Sequence, residues 1–140
     1  MTSRAARLRG VGLLVVTSLV LVIARWLDPD PSGHGTHTQL GLFPCTFYAW
    51  TGLPCPLCGA TTSFALLADL RLVEGVRNQP FAAALFVVTV GVWWLGLAEA
   101  VAPAGRWERL GDAAERHDLQ IAVGVLGGLL AGWIYKITIS

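Results

Sequence analysis

The chain has 140 residues, room for one domain but not for two separately buried cores. Hydrophobic residues make up 54% and charged residues 14%, far from the quarter charged that is usual in soluble domains, so a soluble globule is excluded. A net charge of +1 and three cysteines exclude two more classes: a phosphate-neutralising nucleic-acid surface and a fully paired disulfide framework.

The apolar residues gather into three long runs, which a soluble helix would interrupt with a polar face every few positions. The first follows Arg4, Arg7 and Arg9 and extends over about residues 11–27. At 1.5 Å per residue it spans roughly 25 Å, enough to cross a bilayer. Without a small-x-small cleavage site after the apolar core, it reads as a retained signal anchor rather than a cleaved signal peptide. The preceding arginines predict a cytoplasmic amino terminus, and therefore an extracytoplasmic following loop.

That loop opens with Asp28-Pro29-Asp30-Pro31-Ser32-Gly33, residues that block helix and force turns. His34 and His37 come next, then Cys45 among the aromatics Phe43, Phe47, Tyr48 and Trp50, which suit a loop lying on the membrane interface. Pro54-Cys55-Pro56-Leu57-Cys58-Gly59 forms a Cys-x-x-Cys turn. The run after it, residues 60–76, reads as a helix whose charge-free part is too short to cross, so it is expected to be interfacial or partly inserted. Asp69, Arg71, Glu74 and Arg77 recur on it at helical spacing, as interface anchors. Asn78-Gln79-Pro80 ends it.

Residues 81–101 form the second expected span, with Trp93 and Trp94 placed to pack against protein and Glu99 near enough to the end to reach water. Residues 102–118 read as a charged cytoplasmic connector, with His117 on a solvated face. The third expected span, residues 119–137, carries Gly124, Gly128 and Gly132 on one face, suited to close helix packing within the bundle or to self-association with a second copy. Trp133, Tyr135 and Lys136 read as its outer interface anchor. The resulting expectation is an all-α integral membrane helical bundle of a single domain, 1–140, with three transmembrane helices and a cysteine loop plus short helix over 28–80.

Chemistry concentrates in the cysteines. A Cys-x-x-Cys turn brings two sulfurs to one ion, and tetrahedral zinc needs two ligands more. Cys45 is the candidate third and His37 the fourth, with His34 the other candidate in the loop; a closed Cys3His set would make the metal structural. Two other readings stand beside zinc. A Cys-x-x-Cys at a helix start suits thiol redox chemistry, and two of the three thiols in an oxidising compartment can form a plain disulfide. No Ser-His-Asp set, His-x-x-x-His pair or phosphate-binding glycine loop is present.

Pro44-Cys45-Thr46-Phe47, Thr51-Gly52-Leu53-Pro54-Cys55-Pro56-Leu57-Cys58-Gly59-Ala60-Thr61-Thr62 and Asn78-Gln79-Pro80-Phe81 together resemble the bacterial membrane-protein family catalogued as domain of unknown function 2752. The resemblance covers about residues 41–90 and implies a small protein of a few spans. Cys45, Cys55, Cys58, Gly59 and Thr61 fall on the family's positions, and Thr62 stands where many members have Arg. The histidine segment lies outside the motif, and the resemblance supplies no activity. The sequence thus favours a non-enzymatic small membrane subunit of the bacterial inner membrane, in contact with lipid and a membrane protein partner, its loop metal-bound or cross-linked. The alternative is a membrane thiol-disulfide oxidoreductase or metal-handling protein using Cys55 and Cys58.

Overall fold

The computed structural model of the chain describes residues 3–140 and, among them, contains helices and no strand. The helices are α1 (Ser3–Trp26), a 3-10 turn (Thr36–Leu40), α2 (Thr46–Thr51), α3 (Ala60–Ala68), α4 (Leu72–Asn78), α5 (Pro80–Val101), α6 (Arg106–Arg116) and α7 (Asp118–Ile139). Three of them, α1, α5 and α7, are long and apolar enough to cross a membrane. The all-α membrane class expected from composition is the class observed. Proline opens α5, where its missing N–H costs nothing, and Asp118 opens α7, where its carboxylate meets the positive end of the helix dipole.

The chain divides into two compact units. In the unit formed by Met1–Val20 and Val87–Val125, the described part of α1 meets α5 at very short range. A Cβ on Gly96 would stand 2.8 Å from the Leu14 nitrogen, and one on Gly10 would stand 2.7 Å from the Glu99 Cβ. The Trp93 indole donates to Ser18 Oγ at 2.9 Å, the inward packing expected of it, whereas Trp94 is exposed. Glu99 differs from expectation: it is 2% exposed rather than hydrated. Its carboxylate accepts the Ala104, Gly105 and Arg106 backbone N–H groups and the Arg106 guanidinium. Those are orphan donors at the start of α6, so the protein supplies what water would have. The connector read as merely charged therefore contains a capped helix, tied back by an Arg9–Glu108 ion pair at 2.8 Å.

The second unit, Leu21–Phe86 and Leu126–Ser140, carries the cysteines. The continuous helix expected over 60–76 is here two, α3 and α4, because Leu70 takes a left-handed φ of 63°. Arg71 N–H reaches back to Leu66 O at 2.9 Å and Leu70 N–H to Leu67 O at 3.1 Å, which closes the last turn of α3 and reverses the chain. Gly75 of α4 then lies against Leu67 of α3, where a Cβ would stand only 2.6 Å from its Cγ. The charges expected on one face are shared out differently: Arg71 pairs with Glu74, while Asp69 pairs with Arg25 at 2.8 Å. Ala24, Leu27, Cys58, Ala65, Leu66, Leu67, Ala82 and Ala83 form the buried apolar core of this unit.

Candidate metal centre

Each cysteine is placed by a local backbone device. Cys58 N–H bonds to Cys55 O at 2.9 Å, closing the Cys-x-x-Cys turn, and Ala60 N–H bonds to Leu57 O at 3.0 Å. Gly59, at φ 85°, is the cap from which α3 departs, a conformation that strains any residue with a Cβ. Cys45 caps the other short helix, α2. The outcome is convergence: the three sulfurs lie within 4.8 Å of one another, and all three thiols are free.

A second layer of side chains holds the turn, in roles that their sequence pattern does not signal. Gln79, which ends a helix in the sequence pattern, is fully buried. Its amide donates to Pro56 O at 3.0 Å, and its oxygen accepts Phe81 N–H at 2.9 Å and Ala82 N–H at 3.2 Å. One side chain thus clamps the middle of the cysteine turn to the start of α5. Asn78 donates to Gly59 O at 2.9 Å and to Ser63 Oγ at 3.0 Å. Trp133 donates to Pro54 O at 2.7 Å. Lys136, 3% exposed, donates to Asn78 Oδ1 at 2.8 Å and to Gly33 O at 3.1 Å. Trp133 and Lys136 therefore do not form the outer anchor expected of them. They turn inward because their donors find carbonyl acceptors in the loop, and only Tyr135 among the three stays exposed at its polar tip, donating to Arg77 O.

The sulfurs face a cavity of about 250 Å³ lined also by Gly35, His37 and Thr61. His37 is thus beside the triad, although the convergent cluster itself consists of cysteines alone among the described residues. Its Nε2 is 3.1 Å from Phe43 O. His34 lies instead against the Tyr48 ring, centroids 4.8 Å apart. Thr62, also in the cavity wall, shares a buried hydrogen bond of 2.8 Å with Thr36, and Thr36 Oγ1 accepts Asp30 N–H at 2.9 Å, so the loop is pinned onto α3.

The three thiols differ electrostatically. The Tyr48 N–H aimed at Cys45 holds that thiol below its ordinary value, with a smaller contribution from the Cys55 thiol. Burial pushes Cys55 up to about 11 and raises Cys58 as well, partly opposed at Cys58 by the charge of Lys136. Chemically, Cys45 is the first to ionise, and the other two are thiols that give up their protons when an electrophile or cation takes the electron pair. The aromatics of the loop flank this site, with Phe43 89% and Trp50 90% exposed. Phe47 is less so, edge-on to Trp133 at 6.4 Å. Of the glycine stripe on α7, Gly128 and Gly132 lie against Phe81, while Gly124 faces open space.

Residues 45–93 match the model of a family described as Protein of unknown function (DUF2752). The matched stretch holds the three cysteines and the Asn78–Gln79 clamp, but not His37, Trp133 or Lys136. No curated protein and no solved structure matches the chain.

Proposed function

From residues 45–93, which match a family of proteins of unknown function, we propose a small integral membrane subunit whose loop is organised by one zinc ion. Cys45, Cys55 and Cys58 supply three thiolates and His37 the fourth ligand. The observation that carries this reading is the convergence of three sulfurs within 4.8 Å from two separate stretches of chain. Soft thiolates arranged around one point select zinc among the common divalent ions. His37 supports it in a further way. Its Nε2 lies 3.1 Å from the Phe43 carbonyl, an outer partner of the kind that orients ligating histidines and leaves Nδ1 for the metal.

With four protein ligands the metal has no open position, so its role is structural rather than catalytic. It sits in a bacterial inner membrane with a cytoplasmic amino terminus and an extracytoplasmic loop. The exposed Phe43 and Trp50 beside the site are its surface for lipid headgroups and a membrane protein partner. A second reading, a thiol-disulfide oxidoreductase, is favoured by the N–H groups that favour the Cys45 thiolate. There Cys45 would attack and Cys55 or Cys58 resolve, two thiols being oxidised for each external disulfide reduced.

The separating experiment counts metal and free thiols in full-length protein purified in mild detergent without chelator. One zinc per chain, lost alike in Cys45→Ser, Cys55→Ser and Cys58→Ser and weakened in His37→Ala, is the expected result. No metal, with two thiols appearing only after reduction, refutes the zinc site and favours the redox reading.

A further inference from the structure

Lys136 is an unusual residue to find where it is. It lies in the last turns of an apolar helix long enough to cross a membrane, where a lysine ordinarily extends its ammonium to water. Here the residue is 3% exposed. Both of its hydrogen-bond acceptors, the Gly33 carbonyl and the Asn78 amide oxygen, are uncharged. None of the four ion pairs among the described residues includes it. An ammonium has three donors and one full charge, so one donor and the whole charge are left without an answer. Burying a charge in this way is costly unless an anion faces it.

The surroundings identify that anion. A Cβ placed on Gly59 would stand 3.2 Å from Nζ, and Gly59 directly follows Cys58. Asp30 is turned to other partners, its carboxylate accepting the Ser32 N–H and hydroxyl. The cysteine triad, whose thiols become thiolates when a cation binds, is therefore the group next to the lysine that can carry negative charge. Three thiolates around a divalent ion with a neutral histidine leave one negative charge on the site, and around a monovalent ion they leave two. Resting on the metal reading above, we infer that Lys136 is the counter-cation of the thiolate site, its fixed charge offsetting the negative charge the cysteines keep after binding metal. It is a positioning and charge-balancing residue, not a ligand.

The test measures affinity for zinc alone and for Cu(I) alone, by chelator competition on the folded, full-length protein in detergent. Wild type is compared with Lys136→Gln, which keeps a donor for Gly33 and Asn78, and with Lys136→Met, which keeps the stem. Expected for both variants is a loss of about tenfold to hundredfold for zinc, the range for outer-layer partners of metal sites, and a larger loss for Cu(I). General loosening of the site would weaken both metals by the same factor, and that result overturns the inference. So does wild-type affinity in Lys136→Gln. Wild type that binds neither metal overturns the zinc reading and this inference together, whereas wild type that binds while Lys136→Gln is unchanged overturns this inference alone.

Discussion

Replacing Gly59 by alanine tests the geometry of the site at its tightest point. Gly59 sits at φ 85°, and a Cβ there would stand 2.5 Å from Gly33 O, 3.0 Å from Asn78 Nδ2 and 3.2 Å from Lys136 Nζ. Two costs add. A left-handed residue with a Cβ loses about 1–2 kcal/mol, and forcing an atom into a packed contact costs about 1–3 kcal/mol more. The nearest neighbour is a backbone carbonyl, which cannot rotate away as a side chain can. Gly59→Ala is thus expected to destabilise the protein by about 2–5 kcal/mol. Gly52 provides the internal control: φ is 70° with nothing within 4 Å of its Cβ position, so Gly52→Ala should lose only the conformational part, about 1–2 kcal/mol. The assay is thermal unfolding of metal-free full-length protein in detergent, both variants beside wild type. Equal shifts in the two variants would show that the crowding around Gly59 contributes nothing and would refute the packing of Gly33, Asn78 and Lys136 against the cysteine turn.

The remaining predictions address the clamps and the thiols. Gln79→Leu removes the donor to Pro56 O and the acceptor for two N–H groups; a loss of about 2–4 kcal/mol is expected from buried groups left unpaired, with faster maleimide labelling of Cys55 and Cys58, and an unchanged labelling rate would mean that Gln79 does not hold the turn. Thr62→Val and Thr36→Val each strand the other's buried hydroxyl at about 1–3 kcal/mol, and the double variant should lose less than the sum, since it strands neither hydroxyl and leaves only the Asp30 N–H that Thr36→Val alone already unpairs; strict additivity in an unfolding cycle would contradict the bond. For the metal-free protein, burial raises Cys55 from an ordinary 9.0 to about 11, so the folded state favours the neutral thiol. The stability this contributes is complete below pH about 9 and lost as pH rises toward about 11. Cys58 acts in the same direction and Cys45 in the opposite one. Unfolding midpoints should therefore fall across that window and fall less in Cys55→Ser, and parallel curves for the two proteins would refute the burial of the thiol.

Helix class and number of spans were legible because they depend on length and hydropathy, which are local to a window of sequence. The three apolar runs became α1, α5 and α7. The cysteine turn was legible for the same reason, its spacing and the following glycine being a backbone instruction within six residues. The break at Leu70 was not, since leucine carries no signal for a left-handed conformation and only the reversal of α4 onto α3 requires it. Glu99 and Lys136 were misread in a common way. Near a helix end a charged residue has water as its default partner, and sequence does not show that a loop or a helix start will bring N–H or carbonyl groups there first. Gln79 illustrates the opposite case, a residue before proline whose helix-ending role was plain and whose amide donor to Pro56 was invisible, because the two are 23 residues apart.

The partners of the site span very different lengths of chain, and that difference bears on what a bound metal does. Cys55 and Cys58 are brought together by one turn hydrogen bond, which can form in a short peptide. Cys45 stands at the start of α2, the loop before it is tied down by the Thr36–Thr62 bond and by Lys136, which reaches Gly33 across 103 residues, and Trp133 reaches Pro54 at the turn across 79. Long closures cost chain entropy before they return any contact. A metal ion that bound only the assembled triad would offset that cost, and its binding free energy would then appear as folding free energy of the whole second unit rather than of the turn alone. The buried polar layer then has a reason to be polar. Gln79, Asn78 and Lys136 join loop, turn and helix by directional bonds that fix the register of the turn carrying Cys55 and Cys58.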